Sequence, residues 1–368
     1  MGRMVKNKNK KNVKQKREEN QEKKMAKNKK TQKRKIDHIE LCKEEEVEFN
    51  NKTTLLEKIK LPKTIPNINL EDINTKTSFL GKETSAPIFI TALTGGEERS
   101  EKINKDIAQA AGELRLGMQL GSQRSMLENE SLTYTYNVKR KVEEEPSFLI
   151  GNIGIVQLKE YSIKELNKMI ESIEGDGLAV HVNPAQEAAQ PEGDTNFKGV
   201  MPRLKEVSRK LEHPVIVKQV GEGISRRTAK KLEKMNLYGI DIGGSGGSNW
   251  TKIENLRSNE KDKETFLNWG IPTAKSLIQT KEEYKSGKIT ATGGIRNGLD
   301  VAKSIALGAE ACGVGLPILR AQQKEGKKGV KETLEKMIKE LKIAMFLTNC
   351  KTIEELKSLE PEITEELN

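Results

Sequence analysis

Ala179-Val-His181-Val-Asn183-Pro-Ala-Gln186-Glu187 begins as an alternating apolar strand and stops at a proline, with an imidazole, two amides and a carboxylate gathered at its end. Apolar alternation is all that a strand requires. Four polar groups crowded at the C-terminal tip add nothing to folding, and that end of a barrel strand is where α/β barrels hold their active sites. An ordinary polar strand end would read the same in isolation. Several other strand-like runs also finish in polar or glycine-rich tips, which favours the catalytic reading.

Working outward, short apolar or β-branched runs occur at 87–92, 117–120, 147–151, 177–182, 214–220, 238–242, 288–291 and 311–314. Strands covered on both faces have this composition. Between most of them lie stretches of helical apolar period, at 103–116, 163–173, 226–235, 274–284 and 299–307. The second begins at Ser162 with Glu165 three residues on, the capping-box spacing. Eight alternations of this kind predict a (β/α)8 TIM barrel rather than an open doubly wound sheet. A longer gap, 243–288, predicts an insertion or extended loop at the active-site end.

Charge divides the 368 residues unevenly. Residues 1–33 hold 14 Lys or Arg against 3 acids, which accounts for the entire surplus of +11. Such a segment cannot bury enough apolar surface to offset its ordering entropy, so 1–33 is expected to be a disordered Lys-rich leader. Residues 34–368 are then the barrel, with 34–80 as an N-terminal lid. A Lys-rich arm can bind RNA, DNA or anionic membrane by counterion release, but no aromatics for base stacking accompany it, and a solvated extension with no nucleic-acid partner is the reading taken. No apolar segment follows the charges as in a signal peptide, and no run approaches the ~20 apolar residues that span a bilayer. Cys42, Cys312 and Cys350 lie far apart without a CxxC pair, which fits a reduced cytoplasm.

The tips carry the chemistry. They read Thr91-Ala92-Leu93-Thr94-Gly95-Gly96, Gly121-Ser122-Gln123-Arg124, Gly151-Asn152-Ile153-Gly154, the His181–Glu187 cluster, Lys218 followed by Gly221 and Gly223, Gly243-Gly244-Ser245-Gly246-Gly247-Ser248, Thr292-Gly293-Gly294-Ile295-Arg296, and Gly313-Val314-Gly315. Glycines let backbone N–H groups approach an anion, and the loops after strands 7 and 8 form the usual phosphate pocket of such barrels. A helix beginning near Asn297 would add its positive end. Lys218 sits inside an apolar strand, where an unpaired ammonium is costly; it reads as pointing into the mouth, the alternative being a structural ion pair. Glu187, beside an amide, suits Mg²⁺, which binds one or two carboxylates plus substrate phosphate. Arg34-Lys35-Ile36-Asp37-His38 reads as a lid closing over a diphosphate, or as the end of the charge run. His213 reads as structural, and Trp250 and Trp269 as packing.

Taken together these stretches resemble the type 2 isopentenyl-diphosphate isomerase family, FMN-dependent enzymes on a (β/α)8 barrel. The specific carriers are Arg34-Lys-x-x-His38 and His181-x-Asn-x-x-Gln-Glu187; the glycine motifs are shared with many FMN barrels. The resemblance spans about 34–350 and implies interconversion of isopentenyl and dimethylallyl diphosphate, with FMN reduced by NADPH, Mg²⁺ held by Glu187, a homotetramer or octamer, and a cytoplasmic enzyme of isoprenoid biosynthesis. It places FMN against Ala92, Leu93, Thr94, Ser122, Asn152, Lys218, Ser248, Gly293, Gly294, Ile295, Arg296, Gly315 and Leu316. It places substrate against Arg34, Lys35, Ser122, Gln123, Arg124, Asn183 and Gln186, with Gln186, His181 and His38 as the catalytic set. Leu93, Gln219, Gly243 and Ser248 depart from the usual Met, acid, Ser and Thr, which leaves open whether Gly243 contacts the flavin. The competing enzyme is an FMN-dependent oxidoreductase of the 2-hydroxy-acid oxidase or dihydroorotate dehydrogenase kind, for which the Arg34-Lys35 start would have no task.

Overall fold

The computed structural model describes residues 31–364 except 52, 259 and 260, and gives only the backbone of 261–263. Most of the Lys-rich leader, 1–30, lies outside the described residues. Its last three residues, 31–33, belong to a helix, α1, over residues 31–44.

Eight parallel strands close into a barrel: β1 (Ile88–Ile90), β2 (Gly117–Gln119), β3 (Leu149–Gly154), β4 (Gly177–Val182), β5 (Val215–Gln219), β6 (Gly239–Asp241), β7 (Lys288–Ala291) and β8 (Ala311–Val314), with β8 pairing back onto β1. Each of the eight expected runs supplies one strand. Register fixes what shares a level: Gly154 pairs with His181, His181 with Lys218, and Lys218 with Asp241. An imidazole, an ammonium and a carboxylate therefore stand side by side on three neighbouring strands.

Amphipathic helices cover the outside. Ile163–Glu171 starts with the expected capping box: Ser162 Oγ accepts from the Glu165 N–H at 3.3 Å, and Glu165 Oε2 accepts from the Ser162 N–H at 2.7 Å. Helices with no expectation in the sequence include Val200–Lys210 and the long Leu316–Leu347, which kinks where Glu325 and Gly326 leave helical geometry. The gap after β6 holds the helix Trp250–Ser258 and a 3-10 segment, Lys261–Phe266.

The segment read as one lid, 34–80, divides between the two ends of the barrel. Helix α1 covers the mouth. The hairpin Thr77–Phe79/Lys82–Thr84 closes the opposite end, because Phe79 packs with Phe89 and Phe148 (centroids 6.3 and 5.2 Å) in a small cluster that also takes Ile150, Ala179, Ile216 and Ala311 from the strands. Burying three phenyl rings there plugs that end, so among the described residues the strand tips open at the C-terminal end.

Candidate active site

The eight tips and α1 enclose a cavity of about 1520 Å³, water at its mouth included. Of the residues singled out in the sequence, the walls take Arg34, Lys35, His38, Ala92, Leu93, Thr94, Ser122, Arg124, Asn152, His181, Asn183, Gln186, Glu187, Lys218, Ser248, Gly293, Gly294, Ile295, Arg296, Gly315 and Leu316, and Gly243 joins them. Gln123 does not. Its side chain turns away between β2 and β3, where Oε1 accepts from the Asn152 N–H at 3.0 Å and Nε2 reaches Met169 O at 3.5 Å. The position before the helix Arg124–Glu128 thus stiffens two tips instead of facing a substrate. Trp250 packs against the core as read, and also lines the cavity, where it meets the His38 ring edge-on at 5.1 Å. Trp269 is 62% exposed and lies elsewhere.

On the floor of the mouth, Asn152 Nδ2 donates to Leu120 O at 3.0 Å, which turns its Oδ1 toward His181 Nδ1 at 2.8 Å. An amide oxygen only accepts, so Nδ1 carries the hydrogen and Nε2 is left as an acceptor. Burial, then the charge of Lys218, pushes the His181 imidazole down to about 3, so it is neutral at physiological pH. Burial likewise lowers Lys218, against the opposing pull of Asp241. Asp241, raised by burial, accepts from Thr292 Oγ1 and from the Gly243 N–H at 3.3 Å. Lys218 Nζ donates to Gln219 O at 3.0 Å, so the structural ion pair considered from sequence gives way to a charge neighbour one strand over.

At the β7–β8 side the wall is backbone. Gly293 and Gly294 have φ of +95° and +75°, and a methyl group at Gly294 would fall 2.3 Å from Thr54 Cγ2 and 2.7 Å from Gly246 O. The Gly294 and Ile295 N–H groups have no protein acceptor among the described residues. Asn297 caps the helix Gly298–Ala306 by accepting from the Asp300 N–H. Free N–H groups beside a helix N-terminus fit a phosphate, and hence the phosphate of FMN.

The opposite side is cationic. Arg34 and Lys35 of α1 and Arg124 of the β2 tip line it, with Arg124 Nε bound to Glu128 at 2.9 Å. Asn183 Nδ2 donates to Gln186 Oε1 at 3.0 Å and to Glu187 Oε1 at 3.1 Å, and Glu187 Oε2 accepts from the Asp194 N–H at 2.7 Å. No group of three or more His, Cys, Asp or Glu able to hold a metal occurs among the described residues. One carboxylate is too few for an all-protein cage, yet it fits Mg²⁺ that keeps waters and takes substrate oxygens.

Sequence reading missed Glu254. It stands behind the wall on the inserted helix Trp250–Ser258, where Oε1 accepts from His38 Nε2 at 2.9 Å and from Gln186 Nε2 at 3.3 Å, and Oε2 from Arg257 Nε at 2.7 Å. Burial favours its neutral form, but the hydrogen bonds from His38 and Arg257 outweigh that and hold it at about 2. Gln157, also unnoticed, lines the cavity with a buried Nε2 that has no hydrogen-bond partner among the described residues.

Fold and site together define a β/α-barrel protein of the FMN-dependent kind, and residues 162–361 match the FMN-dependent dehydrogenase family. A mandelate oxidase bearing a C4a-OH-FMN adduct superimposes with a TM-score of 0.60 at 18% identity, covering 84% of this chain and 89% of that one. A flavocytochrome b2 variant with benzoylformate gives 0.64 at 18% identity, over 85% and 78%. At that identity the likeness is one of fold. Closer similarity lies with the isopentenyl-diphosphate delta-isomerases of Methanococcus maripaludis (45% identical over 88% of this chain and 93% of that one) and Sulfurisphaera tokodaii (42%, over 91% and 92%). The chain belongs to the isopentenyl-diphosphate delta-isomerase family, in its flavin-dependent type 2 form.

Proposed function

We propose that this chain interconverts isopentenyl and dimethylallyl diphosphate, with reduced FMN as acid–base cofactor and Mg²⁺ on the diphosphate. The observation that carries the reading is a single cavity with two anion-holding sides of different build, a glycine backbone cradle at β7–β8 and the Arg34, Lys35, Arg124 and Glu187 side facing it. Moving the double bond adds a proton at the terminal CH2 carbon and removes one from the carbon beside the diphosphate-bearing CH2, so there is no net redox change. Reduced FMN supplies acid–base chemistry and an electron-rich face beside a centre of carbocation character.

The protein's own groups bind and orient. Arg34 and Arg124 hold the diphosphate, with Lys35 adding its positive charge from the adjoining seam and Glu187 sharing Mg²⁺ against it, so binding energy far from the alkene positions the reacting carbons. Lys218 offers a buried positive charge to the electron-rich part of the cofactor. His181, held neutral by burial and the Lys218 charge and oriented by Asn152, presents an acceptor nitrogen, and Glu254 sets the orientation of both Gln186 and His38. Helix α1 and Trp250 shield the site from water, which strengthens each of these interactions.

NADPH as the flavin reductant, a cytoplasmic setting and assembly into a tetramer or octamer belong to the same proposal. No described helix is long and apolar enough to cross a membrane. Incubation with FMN, NADPH, Mg²⁺ and isopentenyl diphosphate tests it. Dimethylallyl diphosphate should form in large excess over NADPH consumed; one-for-one consumption, or no isomer, would reject the isomerase.

A further inference from the structure

Tyr136 belongs to no strand and to none of the motifs, yet it is fully buried at the seam between the β1 and β2 tips. Its phenol donates to Ser122 O at 2.6 Å and accepts from Lys35 Nζ at 2.9 Å. Lys35 Nζ also donates to Ser122 O at 3.0 Å and to Gly95 O. An ammonium has three hydrogens, and here three acceptors surround it, with the Tyr136 ring centroid 5.5 Å away. The backbone is shaped around this ring. Gly95 and Gly96 have φ of +157° and +86°, and methyl groups there would fall 2.1 Å from Tyr136 Cε1 and 2.5 Å from its Oη.

We propose that Tyr136 is a positioning residue that fastens α1 across the mouth by completing the acceptor set around the Lys35 ammonium. Lys35 reaches from α1 into the β1–β2 seam, and Arg34 and His38 ride on the same helix. Further along, His38 binds Glu254 and Arg320 donates to Cys42 O and Glu45 O, at 3.1 and 2.9 Å. The Lys35 cradle is an attachment on the cationic side, and its loss would loosen the helix there. Burial, together with the adjacent Arg34, brings Lys35 down to about 7, so each acceptor helps to keep it charged.

Tyr136→Phe keeps the ring against Gly95 and Gly96 and deletes only the hydroxyl. In FMN-loaded protein with Mg²⁺, amide hydrogen exchange over 34–44 should accelerate, and affinity for inorganic pyrophosphate should fall about tenfold, the scale of a lost hydrogen bond to a charged group. FMN affinity should not change. In a Lys35→Met background the same hydroxyl deletion should have no further effect, a coupling that a purely structural tyrosine would not show. Unchanged exchange and affinity, tighter pyrophosphate binding, or equal losses in both backgrounds would overturn the proposal. Its bearing on turnover rests on the isomerase reading. A wild-type chain that failed to isomerise would refute that reading, while exchange and pyrophosphate binding would still decide this one.

Discussion

His38 Nε2 and Glu254 Oε1 lie 2.9 Å apart, joining the lid helix to the inserted helix through a carboxylate with no solvent exposure. Since a carboxylate at about 2 only accepts, His38 donates, and Gln186 donates to the same oxygen. Glu254→Gln leaves His38 and Gln186 facing an amide, and kcat should fall about ten- to a hundredfold while FMN stays bound. The depressed folded pKa means that the native state keeps its carboxylate charged where the unfolded chain, near 4.5, takes up a proton. That contribution, on the order of 3 kcal/mol, is complete above pH 4.5 and is lost as pH falls toward 2. Urea unfolding as a function of pH should show this acid limb in the wild type and not in Glu254→Gln.

His181 gives the same sign by a different route. Its folded value of about 3 lies below the ordinary 6.5, so between these the unfolded chain binds the extra proton. Stability should be full above pH 6.5 and fall steadily as the pH drops toward 3. His181→Leu should flatten that stretch. In the pH profile of kcat no break near 6.5 should trace to His181; a break that disappears in the variant would show the imidazole to be charged and working as an acid.

The barrel was legible because strands covered on both faces must be continuously apolar and must end where backbone turns over the mouth. β4, β7 and β8 begin and end where apolar patterning placed them. The site was legible where function crowds polar groups onto such a tip, as at His181 to Glu187. Glu254 was not, because it acts from an insertion whose packing against α1 leaves no periodic mark. Tyr136 was hidden in an irregular stretch for the same reason. Gln123 looked like a wall residue because sequence shows that a tip is polar, not which of its side chains turns inward. The division of 34–80 into a lid and a floor plug depends on contacts of Phe79 with rings far away in sequence.

Gly294 ties the cofactor end to backbone geometry. Alanine there would hold an unfavourable φ of +75° and place its methyl against Thr54 and Gly246 O. Gly294→Ala should lower stability by about 1–3 kcal/mol and weaken FMN retention through gel filtration at least tenfold. Pyrophosphate binding on the cationic side should be less affected. Equal losses at both sides would mean that the two regions fold as one cooperative unit.

Glu187 offers the sharpest test of the metal. Both of its oxygens are already engaged, one by Asn183 and one by the Asp194 N–H, so the carboxylate is oriented before any ion arrives. A Mg²⁺ held there with substrate oxygens and water needs the charge more than the shape. Glu187→Gln keeps the shape, can still accept from Asn183, and sets an NH2 against the Asp194 N–H. The Mg²⁺ concentration for half-maximal turnover should rise at least tenfold, and kcat/KM should fall by two to three orders of magnitude, with FMN still bound. Chelation of Mg²⁺ should cut the wild type strongly and the variant little, because the variant has already lost the metal's contribution. A Glu187→Gln enzyme with an unaltered Mg²⁺ requirement would place the ion elsewhere in the cavity.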